Sequence, residues 1–196
     1  MFTTTLKSAV VALAFAGVSS AAVAAPVAYK FDPSHSQIVF KINHLGLSTT
    51  TAMFSGFDGN IQFDQEDPAA SSVEVSFPVT TLLTGWEARY DHFMSPDMFN
   101  ASENSDVTFV STNIEVTDDT NAKISGDLTI NGITKPVVLD AVLNAALEEH
   151  PMAKTPWAGF DATATVLRSE FGLGAFVPFV GDEVEIAISV EAMQAE

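Results

Sequence analysis

The stretch Ser-Gln-Ile-Val-Phe-Lys-Ile-Asn-His, residues 36–44, decides the fold because apolar and polar residues alternate along it. Ile38, Phe40 and Ile42 share one parity, and mostly polar residues stand between them. Successive side chains of a β-strand point to opposite faces, so the pattern predicts a strand with one apolar and one solvated face. His44 falls at the end of the apolar face.

The same one-sided alternation recurs along the chain and predicts eight or nine strands. These cover residues 27–31, 36–44, 51–64, 72–80, 106–116, 122–130, 137–147, 157–167 and 183–191. Half-buried antiparallel strands need a shared interior, which a sheet closed on itself supplies. The sequence therefore predicts an all-β fold, an eight-stranded antiparallel up-and-down barrel. An interior of this size is filled by side chains or holds one small ligand.

Two short signals indicate how the strands bend and connect. Phe54 and Phe57 differ in parity, and a bulge near Ser55-Gly56 would let both side chains point inward. Asn131-Gly132 lies between two β segments and predicts a tight hairpin, because both turn positions of such a hairpin need positive φ.

One segment, residues 84–99, breaks the β pattern and predicts a single short helical insert. Thr84 and Glu87 have the spacing of a capping box at the start of a helix. Apolar residues then recur at helical spacing and form a stripe that should cover an end or a side of the sheet. The stripe consists of Leu83, Trp86, Tyr90 and Phe93.

The first 24 residues have the pattern of a cleavable secretory signal peptide. Lys7 precedes an apolar run over residues 9–18, and Ala22-Val23-Ala24 fits a signal-peptidase site. The alternative is an uncleaved anchor, but the run is shorter than the ~20 residues of a spanning helix. We therefore expect residues 25–196 to form one exported domain in the periplasm.

The composition of residues 25–196 limits the classes of partner. Seven basic and 25 acidic residues give a net charge of −18 with histidine neutral. Nucleic acids and anionic membranes attract Lys and Arg, so we expect no nucleic-acid partner. The polar residues opposite each apolar strand face also argue against stable membrane insertion. The sequence leaves open whether the domain forms a homodimer.

The sequence contains no motif that announces catalysis. Cysteine is absent, and the four histidines lack the local spacing of a metal site. No Gly-x-Ser-x-Gly elbow, phosphate-binding glycine loop or dinucleotide fingerprint is present. We therefore predict no catalytic residue, no metal and no cofactor, and expect a protein that is not an enzyme.

Two polar groups leave alternatives open. His44 is either a hydrogen-bonded interior histidine or a contact for a ligand head group. Arg89, Asp91 and His92 lie together on the predicted helix, where they either dock it or form a polar mouth. In so acidic a chain, Arg89 and Arg168 are expected to pair with carboxylates.

Several short motifs, in this order, resemble those of the YceI-like family of exported, lipocalin-like proteins. They are Asp-Pro-Ser-His-Ser at 32–36, His-Leu-Gly-Leu-Ser at 44–48, Arg-Tyr-Asp-His-Phe-Met-Ser-Pro-Asp-Met-Phe at 89–99, Gly-Asp-Leu-Thr-Ile-Asn-Gly-Ile-Thr-Lys-Pro-Val at 126–137 and Arg-Ser-Glu-Phe-Gly at 168–172. The departures are small: Tyr90 is an extra residue, Met98 replaces a phenylalanine and Glu170 replaces an aspartate. They affect the packing of the helix rather than the fold.

The resemblance implies a lipocalin-like barrel whose interior takes a long polyisoprenoid, such as the tail of a prenyl quinone or prenyl phosphate. It implies a periplasmic carrier, buffer or sequestering protein. An enzyme that uses His44 or His92 on a lipid head group, and a ligand-free, stress-related barrel with a filled core, are the alternatives. The expected ligand-binding residues are Ile38, Phe40, Ile42, His44, Phe57, Phe77, Trp86, Arg89, His92, Phe93, Phe109, Leu128 and Phe171.

Overall fold

The structure is a computed structural model that describes residues 25–195. The predicted signal peptide, residues 1–24, lies outside the described residues. The described chain contains ten strands and one α-helix, α1 (Glu87–Met94). The strands are β1 (Val27–Phe31), β2 (Gln37–His44), β3 (Ser48–Phe54), β4 (Asp58–Phe63), β5 (Ser72–Pro78), β6 (Asp106–Val116), β7 (Asn121–Ile130), β8 (Ile133–Leu147), β9 (Trp157–Leu167) and β10 (Val180–Gln194).

The ten strands form a closed eight-stranded barrel because two of its arms are each divided in two. β1 and β2 lie end to end along β10, which pairs with both. β3 and β4 lie end to end beside them, since β3 pairs with β2 and β4 pairs with β1. All pairs are antiparallel, and the pairing of β1 with β10 closes the ring. The predicted eight-stranded antiparallel up-and-down barrel is confirmed.

The irregularity predicted near Ser55-Gly56 is a complete interruption of the strand. β3 ends at Phe54 and β4 begins at Asp58, so residues 55–57 do not pair in the sheet. Phe54 and Phe57 are consequently both buried although their parities differ. A bulge would have kept the ladder continuous, and this part of the prediction was wrong.

The predicted Asn131-Gly132 hairpin joins β7 to β8. The φ angles of Asn131 and Gly132 are 54° and 71°, the left-handed values that this turn requires. Ile130 pairs with Ile133 across the turn. β8 therefore begins four residues before the predicted strand at 137.

The helical insert contains α1, but the predicted capping box is absent. The Thr84 hydroxyl donates to the carbonyl of Trp86 at 2.8 Å and accepts from the Trp86 amide at 3.3 Å. This closes a turn ahead of the helix, so Trp86 is the N-cap and makes no side-chain capping bond. Because Leu83 and Trp86 precede the helix, they lie exposed, whereas Phe93 is buried.

Up-and-down connectivity brings alternate connections to the same end of the barrel. The insert between β5 and β6, the β7–β8 turn and residues 168–179 share one end, which we call the helix end. Residues 64–71, the β6–β7 turn and the β8–β9 loop share the other, which we call the turn end. No helix in the described part of the chain is long and apolar enough to cross a membrane.

Candidate ligand-binding chambers

Two apolar cavities follow one another inside the barrel. The turn-side chamber, with a volume of about 170 Å³, reaches the β6–β7 turn at the turn end. The helix-side chamber, of about 140 Å³, extends to α1 at the helix end. Each is far larger than the ~10–15 Å³ that one water needs. Five residues line both cavities and form a shared waist: Ile38, Val75, Phe109, Leu139 and Ile188.

Aromatic rings close the helix-side chamber at the helix end. Phe93 of α1 lies 6.1 Å from Phe40 and 6.0 Å from Phe99, measured between ring centroids. Phe54 also contacts Phe40 and Phe99 at 5.6 and 5.9 Å, and Phe171 is fully buried beside them. Edge and tilted ring contacts of this kind stabilise packing beyond simple burial. Only apolar atoms face this chamber.

Among residues 25–195, Arg168 is the one charged residue that lines the helix-side chamber, and its guanidinium faces away from the cavity. Nε and Nη2 donate to the carbonyls of Gly181 and Val180 at 2.8 and 3.0 Å, and Nη1 donates to the carbonyl of Leu173. Burial lowers the pKa of Arg168, and the charge of Asp182 partly opposes this. The guanidinium thus holds residues 173–181 over the helix end.

The turn-side chamber has an apolar wall and a polar mouth. Ring centroids of Phe63 and Phe160 lie 5.4 Å apart in its wall. The mouth includes Asp118, Asp119 and Asn121 of the β6–β7 connection. The Thr120 and Asn121 amides donate to Asp118 Oδ1 at 3.0 and 2.9 Å. These hydrogen bonds, with one from the Asn121 side chain, lower the pKa of Asp118.

At the waist, one aromatic ring packs directly against a glycine. A Cβ atom at Gly126 would lie 2.3 Å from Phe109 Cζ and 2.6 Å from the Val110 carbonyl oxygen. Both distances are far below the ordinary ~3.5–4.0 Å carbon contact. Glycine at this point in β7 therefore lets the Phe109 ring pack directly against the β7 backbone.

Nine of the thirteen predicted binding residues line a chamber. They are Ile38, Phe40, Ile42, Phe57, Phe77, Phe93, Phe109, Leu128 and Phe171. Strand parity predicted the inward face of most of them, and their part in binding stays a prediction. The same parity could have identified further lining residues on β6, β8, β9 and β10: Val107, Val137, Val166, Val184 and Ile186. Phe99 follows the helix, where no periodicity marks it as a lining residue.

His44 and Trp86 do not reach a chamber. His44 is exposed at the end of β2, opposite Val180, because the apolar face ends at Ile42. Its assignment to the apolar face was therefore wrong. Trp86 is 64% exposed ahead of α1.

Arg89 and His92 also lie outside both cavities. Arg89 donates to the carbonyl of Thr84 at 3.1 Å, and its guanidinium lies 5.9 Å from the centroid of the Trp86 ring. The His92 ring contacts Phe176 edge-on at 6.0 Å. Among residues 25–195, neither Arg89 nor Arg168 forms a salt bridge with a carboxylate, so the predicted pairing was wrong for both. Backbone carbonyls replace carboxylates as their partners.

A titratable cluster that the sequence analysis missed lies outside the chambers, at the break between β1 and β2. Asp32, His35 and Glu191 place one possible ligand atom each within 4.8 Å of one another. His35 Nδ1 lies 2.6 Å from Asp32 Oδ2. This hydrogen bond, together with the charges of Asp32 and Glu191, raises the pKa of His35. The short contact makes Asp32 and His35 a hydrogen-bonded pair, with Glu191 beside it.

Comparisons with known proteins agree with this architecture. The model of the family described as "YceI-like domain" matches residues 29–192. Protein YceI of Escherichia coli O17:K52:H18 is 35% identical over 196 residues, which cover 96% of this chain and 99% of that protein.

Two solved structures share the barrel. The Campylobacter jejuni YCEI protein has a TM-score of 0.70 and 26% identity, over 79% of this chain and 90% of that one. A polyisoprenoid binding domain from Saccharophagus degradans, implicated in plant cell wall breakdown, has a TM-score of 0.65 and 14% identity, over 86% and 99% of the two chains. With its barrel, its motifs and these relatives, the chain belongs to the YceI-like family.

Proposed function

We propose that the protein binds a long polyisoprenoid lipid inside the barrel and acts as a periplasmic carrier, buffer or sequestering protein for it. The observation that supports this most directly is the pair of apolar chambers that share a waist. Together, volumes of about 170 and 140 Å³ reach the lower end of the ~300–1,000 Å³ range of small-molecule pockets. Their succession along the barrel suits a long, narrow ligand.

Hydrophobic transfer supplies the driving force for such a ligand. Each buried CH₂ group contributes roughly 0.8 kcal/mol, so one five-carbon isoprene unit contributes at most about 4 kcal/mol. Loss of chain freedom on binding offsets part of this gain. No reactive group is needed, which is consistent with a helix-side chamber lined almost entirely by Ile, Val, Leu and Phe side chains. The name of the Saccharophagus degradans domain also favours a polyisoprenoid ligand.

The alternatives receive less support. A barrel with a filled core would have the phenylalanines meeting across the axis. Here ring contacts occur at the helix end and between Phe63 and Phe160, and two cavities remain inside the barrel. The enzyme hypothesis relied on His44 or His92 at the ligand, and neither residue lines a chamber. The periplasmic location rests on the signal-peptide pattern of residues 1–24.

A lipid extraction and a chain-length series test the proposal. Organic extracts of protein purified from its native host should contain a prenyl lipid by mass spectrometry. Polyprenols of increasing length should bind more tightly with each isoprene unit until the chambers are full. Repeatedly empty extracts, together with no binding of any added polyprenol, would contradict the proposal.

Two adjacent valines of β8 provide a matched control. Val137 lines the helix-side chamber, whereas Val138 is 49% exposed. Val137→Glu should abolish polyprenol binding because it places a charge against an apolar cavity, and Val138→Glu should bind normally. Val137→Phe covers the case in which the charged variant does not fold. It fills part of the helix-side chamber and should shorten the longest polyprenol that binds.

A further inference from the structure

We propose that the lipid lies with its hydrocarbon end in the helix-side chamber and its polar end at the β6–β7 turn. We further propose that this mouth selects uncharged or cationic head groups over phosphates. The inference rests on the proposed function and specifies the class of ligand that the same cavity accepts.

The walls of the two chambers set the orientation. Only apolar atoms face the helix-side chamber, and the Arg168 guanidinium that borders it donates outward to three backbone carbonyls. A polar head group placed there would lose its water without gaining a partner. At the other chamber the β6–β7 turn is exposed, so a head group at that mouth keeps its hydration. The hydrocarbon end therefore occupies the helix side.

The charge at the turn-side mouth sets the class of head group. Asp118, Asp119 and Asp161 line this chamber, and no Lys, Arg or His of residues 25–195 does. The nearest cation along the chain, Lys123, is held by Asp140 at 2.6 Å, where both side chains are more than half exposed. A hydrated phosphate at this mouth therefore finds, among the described residues, no cationic side chain that attracts its charge. Here it would meet carboxylates.

The distance between the charges and their screening by salt determine how large a difference in affinity a binding assay should detect. Like charges a few ångströms apart near a protein surface repel measurably, and the Debye length is ~10 Å at 0.1 M salt. The discrimination should therefore be about tenfold or more at low ionic strength and should shrink as salt is added. The net charge of −18 acts in the same direction.

The test compares three probes with one tail: a polyprenol, the matching polyprenyl phosphate and the matching polyprenylamine. At about 10 mM salt, the alcohol and the amine should bind at least about tenfold more tightly than the phosphate. Asp119→Asn should narrow this gap in affinity between the phosphate and the other two probes. The double variant Asp118→Asn with Asp119→Asn should narrow it as well. The single variant keeps Asp118, which accepts hydrogen bonds from the Thr120 and Asn121 amides within its own turn, so the turn stays intact in that variant.

A second pair of neutralised carboxylates controls for position. Glu87→Gln with Asp97→Asn removes two exposed acidic charges at the helix end and should leave the gap unchanged. A phosphate that binds as tightly as the alcohol would overturn the head-group inference while the proposed function stands. A gap that responds to the helix-end pair instead would overturn the orientation. If none of the three probes binds, the proposed function itself fails.

Discussion

Gly126→Ala should destabilise the barrel and narrow its waist. Gly126 pairs with Ser111 and Val137 in the middle of the sheet, directly beneath the Phe109 ring. The new methyl group would overlap Phe109 Cζ, at 2.3 Å, and the Val110 carbonyl oxygen, at 2.6 Å. The side chain can rotate away from this contact, but the backbone oxygen cannot. The ring should therefore move off β7 and toward the barrel axis.

The change in the free energy of unfolding combines two opposing effects. Overpacking destabilises the folded state, and the loss of glycine restricts the unfolded chain. Inserting a methyl group into a packed site costs about 1–3 kcal/mol. Replacing glycine by alanine in a compatible conformation stabilises by about 0.4–1 kcal/mol, because it restricts the unfolded chain. Gly159 in β9 isolates this second effect, since a Cβ atom there would meet nothing within 4 Å. Gly159→Ala should thus equal or slightly exceed the stability of the wild type.

Urea unfolding of both variants measures the difference, and thermal melts should show about 2–4 °C per kcal/mol for a domain of this size. Adding Phe109→Leu to Gly126→Ala should recover part of the loss, because the contact with Cζ disappears while that with Val110 remains. The longest polyprenol that binds should also become shorter in Gly126→Ala. If Gly126→Ala is as stable as Gly159→Ala, the Phe109 ring does not pack on this glycine and the reasoning is wrong.

Three further perturbations test other parts of the structure. Phe40→Glu should prevent folding or lipid binding, because a charge in the apolar interior costs several kcal/mol. Lys41→Glu on the outer face should do neither. Circular dichroism measures the folding of both variants, and a polyprenol-binding assay measures their binding. Arg168→Met should lower the free energy of unfolding by about 2–5 kcal/mol, because three backbone carbonyls lose their donors, and urea unfolding measures this. His35→Gln should lower the melting temperature at pH 5.5 and have no such effect at pH 9.

The pH dependence at His35 follows from the sign of two pKa shifts. Its hydrogen bond to Asp32 raises the pKa of His35, so its contribution is present below the unfolded value of ~6.5 and is lost as pH rises through the folded pKa. Burial raises the pKa of Asp32, but hydrogen bonds from Ser34 and His35 outweigh it and lower the pKa. The Asp32 contribution is therefore present above the unfolded value of ~3.9 and is lost as pH falls through the folded pKa.

Specific outcomes would contradict these three predictions. A folded Phe40→Glu variant that binds polyprenol normally would place Phe40 away from the cavity. An unchanged urea midpoint in Arg168→Met would mean that the carbonyls find other donors. A melting-temperature difference between wild type and His35→Gln that is equal at both pH values would show that the Asp32–His35 pair does not contribute through its charge.

The sequence by itself determined which side chains share a face. The period of two in residues 36–44, repeated in later strands, is a local property of extended backbone and survives whatever the strands pair with. That is why parity identified Phe40 and Phe109 among the lining residues and predicted the closed barrel. The Asn131-Gly132 turn was equally local, because positive φ is a preference of those two residues.

Only the tertiary structure decided what the faces enclose. The Phe109 ring packs against Gly126, seventeen positions away, and strand parity does not record how a ring lies. Pairing of β10 with β1 and β2 brings Glu191 to His35, and the path of residues 173–181 gives Arg168 carbonyl partners instead of carboxylates. His44 was misplaced because an apolar face ends where the barrel ends. Closure of the ring sets the residue at which the apolar face ends, and the alternation within one strand does not reveal it.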